Sequence, residues 1–356
     1  MPAFAQRIAA WQRTHGRHDL PWQRTRDSYR IWVSEIMLQQ TQVATVLGYY
    51  ERFMTAFPDV AALAKAGEDD VLARWSGLGY YRRARHLHAA ARVVVERLGG
   101  AFPTDAATLV TLPGIGRSTA AAIAALSSGE RAAILDGNVK RVLARHRGIA
   151  GDPGTPAVEK AMWTLATRLL PREGVEAYTQ GMMDLGATVC TRTRPRCDRC
   201  PVAGDCVARR EDRIGELPGK RARRELPHRE VQVVLVERAG EVLLERRPAT
   251  GVWGRLWSLP EIGVGEDPVV ALRRRYDIGA RLVGRLAPVE HAFTHYALTM
   301  HPSRLAARAS RGAAPAECVW IARADLPGAA LPAPIRRLLQ GSGSRPGPDR
   351  GVGLRN

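Results

Sequence analysis

Several things are scarce in this chain, and each shortage removes a class of function. Aromatic residues make up 6% of its 356 residues and only five cysteines are present. No apolar run approaches the roughly 20 residues that cross a bilayer. A membrane-spanning transporter or receptor is therefore not expected. Met1 to Trp11 lacks the long apolar core of a secretory leader, so neither an oxidising compartment nor a disulfide framework is expected. Acidic residues are also few: 35 Asp and Glu stand against 53 Lys and Arg, for a formal charge of +18 and a pI near 10.7. A surplus that large favours a polyanionic partner through counterion release. Lysine contributes only four of the 53. An excess of Arg, Ala, Gly and Pro together is also what GC-rich coding yields, so charge by itself supports nucleic-acid binding only weakly. A soluble, intracellular monomer is expected, with 45% hydrophobic content and enough length for two domains.

What is present is concentrated. Cys190, Cys197, Cys200 and Cys206 lie in one 17-residue window as C-x6-C-x2-C-x5-C, with Cys318 far away. Four thiolates on short loops can wrap one metal centre, and soft sulfur selects iron–sulfur or zinc. Both centres take four sulfur ligands, so the spacing leaves the choice between them open.

Up to about residue 208 the apolar pattern is helical. Ile31 to Phe57 runs until Pro58, followed by Val71 to Trp75, Ala84 to Leu98, Ser118 to Leu126, Val139 to Arg145, Val158 to Leu170 and Tyr178 to Val189. From Arg209 to Glu230 the chain is charged and punctuated by Pro218, Gly219 and Pro227, which reads as a linker. The period then changes. Val231 to Glu237 and Glu241 to Arg246 flank Arg238-Ala239-Gly240 as a hairpin. Leu282 to Leu286, Ala297 to His301 and Cys318 to Ala322 supply further strands, while Val269 to Tyr276 and Ile335 to Leu339 read as helices. The expectation is a multi-domain chain: an all-α domain over 1–208, a linker over 209–230, an α+β or α/β domain over 231–340, and a disordered Gly/Pro-rich tail over 341–356. No internal repeat is present.

Three features carry chemistry. In Leu112-Pro-Gly-Ile-Gly-Arg-Ser-Thr-Ala120, Gly114 and Gly116 permit close approach of another molecule, and a helix begins near Ser118. Its free N–H groups and positive dipole end suit a phosphate. Glu35 lies inside the apolar stretch Ile31-Trp-Val-Ser-Glu-Ile-Met-Leu38, where lost hydration should raise its pKa and suit it to general acid catalysis. Asp136 precedes Gly137-Asn138 and a helix; Asp-Gly-Asn is equally the chemistry of a turn and N-cap, so the residues alone leave both roles open.

Together these motifs resemble the helix-hairpin-helix DNA glycosylases of the endonuclease III superfamily, and within them the adenine DNA glycosylases of the MutY type. The matching stretches are Leu20-Pro-Trp22, Trp32 to Val43, Gly77-Leu-Gly-Tyr-Tyr81, Leu112 to Ile123, Leu135 to Val142 and the cysteine cluster. The resemblance implies a [4Fe–4S] cluster rather than zinc, and an all-helical catalytic half followed by a Nudix-like domain. It implies that double-stranded DNA containing A:8-oxoguanine or A:G mispairs is the partner. Glu35 would protonate N7 of a flipped adenine, Asp136 would stabilise the cationic sugar, and Asn138 would position groups around Asp136. Trp22 would line the adenine pocket, and Gln40 and Tyr80 would wedge into the duplex around the partner base.

Bifunctional relatives carry a Lys just after the hairpin, whose amine forms a Schiff base with the sugar. This chain has Ser118 there, so the resemblance implies an abasic product without strand cleavage. In the second domain, Glu245-Arg-Arg-Pro248 and Gly251 to Glu261 look like the approach to a Nudix box, but Pro268 to Tyr276 has no carboxylate to hold Mg²⁺. The family reads 8-oxoguanine here with a Phe-Ser-His loop, matched by Phe293-Thr294-His295. Two further readings are an endonuclease III-like enzyme acting on oxidised pyrimidines, which Ser118 and the extra domain oppose, and a non-catalytic iron–sulfur DNA-binding protein, which Glu35 and Asp136 oppose.

Overall fold

The computed structural model describes residues 3–219, 226–293, 295–308 and 314–341. By its contacts the chain falls into two units, one of Met1–Ala66 with Arg83–Arg223, the other of Gly67–Arg82 with Arg224–Asn356. In chain order the first twelve helices are α1 Phe4–His15, α2 Ser28–Leu38, α3 Val43–Ala56, α4 Val60–Lys65, α5 Glu68–Trp75, α6 Arg82–Arg97, α7 Ala106–Leu109, α8 Arg117–Ser128, α9 Gly137–Arg147, α10 Pro156–Leu169, α11 Val175–Asp184 and α12 Val207–Arg210. All but α5 and the first residue of α6 belong to the first unit. No helix among the described residues is long and apolar enough to cross a membrane.

One core of the helical unit gathers Ile8, Ala125, Leu143, Met162 and Leu185, each fully buried. Each large apolar side chain enclosed this way contributes roughly 1.5–3 kcal/mol. A second set of enclosed side chains includes Trp32, Met37 and Phe53. Trp32 stacks at a tilt on Phe102, 4.6 Å between ring centroids.

Two elements differ from the sequence pattern. Ile31 to Phe57 reads as one helix, but the chain breaks between α2 and α3, where Gln40 takes φ 58°. No Gly or Pro marks the break. Instead the Arg83 guanidinium donates through Nη1 to the carbonyls of Ile36 and Met37, both at 2.9 Å, and to that of Gln39, ending α2 there. Tyr178 to Val189 likewise reads as one helix, yet α11 stops at Asp184 and gives way to a single π-turn over Leu185–Val189. Cys190 N–H donates to Leu185 O at 2.7 Å, closing that wider turn and setting the start of the cysteine loop. Helix α1, unassigned from sequence, packs against α11.

The stretch read as a linker is partly folded. It begins in α12, and Leu217 is 3% exposed, its carbonyl accepting from Arg145 Nε at 2.9 Å. Residues 220–225 lie outside the described residues, as does all of the tail expected over 341–356 except Gly341, which is helical.

The second unit is built on a sheet of eight strands among the described residues: β1 His228–Arg238, β2 Glu241–Arg246, β3 Trp257–Ser258, β4 Glu261–Ile262, β5 Ala280–Arg285, β6 Val289–Ala292, β7 Ala297–Ala307 and β8 Cys318–Ala322. The main path is β3-β2-β1-β7-β5, with β4 on β1, β6 on β7 and β8 on β2. β1 and β7 pair in parallel; the other pairs are antiparallel. The β1–β2 hairpin closes through Ala239 and Gly240, both at positive φ, as a tight two-residue turn requires. Helices α13 Pro268–Tyr276 and α14 Ala333–Gly341 cover the two faces. Val233 and Leu235 pack with Ile335 and Leu338 of α14, whereas Val234 and Val236 pack with Ala271, Leu272 and Tyr276 of α13. A strand buried on both faces explains why Val233 to Val236 is continuously apolar. Strands β3, β4 and β6 are too short for a period-2 pattern to show.

Candidate active site and cysteine loop

Asp27 caps α2, accepting from Tyr29 N–H at 2.9 Å and Arg30 N–H at 3.3 Å. Ile31, Trp32, Val33, Ser34, Ile36 and Met37 are buried. Glu35 among them is part-exposed, on the wall of a cavity of about 270 Å³ that also takes in Gln12, Trp22, Gln23, Ser34 and Gln180. Burial first, then the negative charge of Asp136, push the Glu35 carboxyl up to about 7. The sequence expectation of a raised pKa therefore holds, and a large fraction of Glu35 carries a proton at neutral pH. Trp22 is buried with its edge against Tyr50, 5.1 Å between centroids. Both carboxamide atoms of Gln23 are buried without a hydrogen-bond partner among the described residues, an arrangement that favours a ligand presenting both a donor and an acceptor.

Asp136 is the N-cap of α9, its Oδ1 accepting from Val139 N–H at 2.8 Å. The capping role that the sequence left open is thus real, and it leaves the other oxygen, Oδ2, to Asn138 Nδ2 at 3.4 Å. Burial raises the Asp136 pKa, while the Val139 N–H, the Arg141 charge and Asn138 pull it back.

Two arginines on α9 tie this end of the helix to the cysteines. Arg141 donates to Asn138 Oδ1 at 2.8 Å, Gly186 O at 2.7 Å and Cys190 O at 2.8 Å. Arg145, 4% exposed, reaches Thr191 O at 2.6 Å, Arg192 O at 3.0 Å, and lies 3.5 Å from Cys190 Sγ. Neither stood out in the sequence. The available signal was their four-residue spacing, which puts both on one face of the helix that Asp136 begins.

The hairpin leads to the same place. Ser118 Oγ accepts from Leu135 N–H at 2.9 Å, one residue before Asp136. Gly114 has φ 78°, and a Cβ there would sit 2.6 Å from His86 Cβ, so its glycine serves the protein's own packing. Gly116 is different: it precedes α8 without a side-chain cap, and a Cβ would meet nothing within 4 Å. The exposed end of α8 is therefore open to an outside group. Arg117 stacks over Trp163 at 3.9 Å beside it.

Gln40 and Tyr80, the candidate wedges, are both exposed and both in the left-handed region, at φ 58° and φ 50°. Arg83 Nη2 donates to Thr41 Oγ1 at 3.1 Å, adding to its hold on the Gln40 turn.

Cys190, Cys197, Cys200 and Cys206 line one cavity together with Arg145 and Arg209, and all four are free thiols. Burial pushes Cys200 up to about 11 and raises Cys197, with neighbouring thiols adding to both. Among the described residues no three His, Cys, Asp or Glu side chains are gathered tightly enough for a single metal ion.

In the second unit, Phe293 and His295 lie between β6 and β7; Thr294 falls outside the described residues. Phe293 is partly buried against Trp253, His291 and Tyr296, with centroids 5.4, 4.5 and 4.7 Å away. His295 is exposed. Helix α13, where a Nudix box would hold metal, carries Arg273, Arg274 and Arg275 and no carboxylate.

Residues 33–168 match the model of the HhH-GPD superfamily base excision DNA repair proteins, and residues 231–341 match the NUDIX domain. Among solved structures, a thermostable thymine-DNA glycosylase aligns with a TM-score of 0.53 and 31% identity over 58% of this chain and 95% of that one. An endonuclease III–DNA complex shares the fold, with a TM-score of 0.50 and 20% identity, over 58% and 94% of the two chains. The human adenine DNA glycosylase is 36% identical over 361 residues, 83% of this chain and 66% of that protein. The adenine DNA glycosylase of Buchnera aphidicola subsp. Acyrthosiphon pisum (strain APS) is 35% identical over 299 residues, 84% of this chain and 85% of that protein. With both halves of the sequence matched in this way, the chain belongs to the adenine DNA glycosylases of the HhH-GPD superfamily.

Proposed function

We propose that the protein removes adenine paired with 8-oxoguanine, or with guanine, from duplex DNA by hydrolysis of the N-glycosidic bond, leaving an abasic site and an intact strand. The observation that carries this reading is the Glu35–Asp136 pair: two partly buried carboxyls, one pushed up to about 7 first by its own desolvation and then by the charge of the other. Pairs of acids whose environments separate their pKa values divide into proton donor and charged partner.

Adenine would leave the stack, at a cost of a few kcal/mol, and enter the cavity beside Glu35 and Trp22. The unpartnered Gln23 carboxamide suits a base edge that offers both a donor and an acceptor. Glu35 donates its proton to N7 as the bond to the sugar lengthens. Asp136, ionised, faces the positive charge that develops on the sugar, an interaction strongest in the transition state. Asn138 holds the Asp136 carboxylate. Gly116 and the exposed start of α8, with Ser118, receive a phosphate of the same strand. No amine stands at position 118, where bifunctional relatives carry the lysine that attacks the sugar, which favours hydrolysis.

The four cysteines suit a [4Fe–4S] cluster: four thiols line one cavity, the ligand number such a cluster takes. When bound, such a cluster would cross-link the loop from Cys190 to Cys206, and base excision would take no step through it. The helical part, residues 1–208, would be catalytic. The part over 231–340 would recognise 8-oxoguanine through Phe293, Thr294 and His295, with Gln40 and Tyr80 at the partner base.

Duplexes containing A:8-oxoguanine, A:G or an oxidised pyrimidine separate the alternatives, with free base and strand breaks assayed independently. Release of adenine without strand breaks supports the proposal. Release of an oxidised pyrimidine, or of no base, contradicts it. Phe293→Ala or His295→Ala should narrow the preference for 8-oxoguanine over guanine by about 1–3 kcal/mol.

A further inference from the structure

Tyr80 is 45% exposed and holds a left-handed backbone at φ 50°. A residue with a Cβ persists there only where its surroundings over-determine the conformation. The segment Gly67–Arg82 groups with the sheet unit, not with the helices that flank it in sequence.

Several contacts fasten it. Asp69 pairs with Arg246 of β2, one oxygen to Nη1 at 3.0 Å and the other to Nη2. Ser76 Oγ donates to Leu331 O at 2.6 Å, and the Tyr81 hydroxyl donates to the same carbonyl at 3.2 Å. That hydroxyl also accepts from Gly77 N–H at 3.3 Å, and Trp75 Nε1 donates to Gly79 O at 3.1 Å. Arg336 of α14 donates through Nη2 to Ser76 Oγ and Ala329 O, both at 2.9 Å, and through Nη1 to Pro327 O at 3.0 Å. One main-chain carbonyl, on a residue only 1% exposed, thus anchors the chain on both sides of Tyr80.

We infer that the Leu331 carbonyl and Arg336 form a clasp that fixes the loop from Gly77 to Tyr81 and so sets how Tyr80 meets the DNA. Ser76 and Arg336 are then positioning residues for discrimination of the base opposite adenine. This rests on the reading of Tyr80 as a duplex-contacting residue. It gives the sheet unit a second route to that discrimination besides the Phe293 loop. The physical requirement is ordinary: an aromatic side chain stacks productively only when its backbone is held in place before the duplex arrives.

The test is single-turnover excision of adenine opposite 8-oxoguanine and opposite guanine. The variants are Tyr80→Ala, Arg336→Ala, Ser76→Ala and Phe293→Ala, with Tyr80→Ala/Arg336→Ala and Phe293→Ala/Arg336→Ala as double variants of the full-length protein. Tyr80→Ala is expected to narrow the preference for 8-oxoguanine about tenfold, and Arg336→Ala and Ser76→Ala by roughly threefold to tenfold. Arg336→Ala should add nothing in the Tyr80→Ala background, yet should multiply with Phe293→Ala. A general loss of packing would multiply with both. If Arg336→Ala does not fold, the Ser76→Ala series, lacking only one hydroxyl, carries the same comparison. Should Tyr80→Ala keep full preference, the reading of Tyr80 is wrong and the inference falls with it. Should Tyr80→Ala lose preference while the clasp variants keep it, or lose it independently of Tyr80, the inference alone is overturned.

Discussion

The Ser118 hydroxyl accepts a 2.9 Å hydrogen bond from the N–H of Leu135, the residue next to Asp136. Position 118 is therefore within one hydrogen bond of the chain that carries the candidate catalytic carboxylate.

Ser118→Lys should accordingly introduce strand cleavage that the parent lacks, because its amine can attack the sugar. Borohydride trapping is expected to capture a covalent protein–DNA adduct with the variant alone. Efficient trapping by the parent would show that the present assignment of a single hydrolytic step is wrong.

Glu35→Gln should abolish excision, since an amide has no proton to give, and should also change the pH dependence of stability. The folded carboxyl titrates near 7 against an ordinary 4.5. Below 4.5 both the folded and unfolded chains hold the proton. Through the window up to 7 the unfolded chain ionises first, so the parent loses stability as pH rises, by about 3 kcal/mol in all. The amide does not titrate. Thermal unfolding at pH 5 and pH 8 should show the variant gaining on the parent between the two; parallel curves would mean that Glu35 is not desolvated.

The two hairpin glycines should behave oppositely. Gly114→Ala places a Cβ against His86 at a left-handed position and should destabilise by about 2 kcal/mol or more. Gly116→Ala meets open space and should fold normally but bind duplex DNA more weakly, as measured by titration at fixed salt. Equal loss of stability in both would remove the argument that Gly116 faces a ligand.

Purified anaerobically, the protein should be brown and hold close to four iron and four acid-labile sulfide per chain. Arg145→Met should lower that content and cost about 3 kcal/mol of stability, because it leaves the carbonyls of Thr191, Arg192 and Leu217 without their buried donor. Zinc at one per chain and no sulfide would contradict the cluster.

The elements most legible in the sequence were those with an unambiguous local signal. The four cysteines, the Leu-Pro-Gly-Ile-Gly hairpin, the hairpin around Gly240 and the doubly buried run from Val233 to Val236 each announced themselves by spacing or composition. Glu35 was legible because apolar neighbours surround it on one helix. What was hidden depended on distant partners. The break at Gln40 is made by Arg83, over forty positions away in sequence, and apolar periodicity runs straight through it. Arg141 and Arg145 look like two more basic residues in a basic chain until the cysteine loop is placed against them. The attachment of Gly67–Arg82 to the sheet unit rests on bonds to Leu331, Arg336 and Arg246, and no window of sequence contains both ends of those. Leu217, in a stretch whose charge and prolines suggested a linker, is buried for the same reason.

The most direct test of the whole account is single-turnover excision by Asp136→Asn on a duplex with adenine opposite 8-oxoguanine, with mispair affinity measured alongside. The substitution keeps an oxygen for the Val139 N–H of α9 and removes only the negative charge. If Asp136 stabilises the cationic sugar, excision falls by a thousandfold or more, on the order of 4 kcal/mol of barrier, while affinity for the mispair stays close to that of the parent. Excision within about tenfold of the parent, a difference of only ~1.4 kcal/mol, would make Asp136 a helix cap and nothing more.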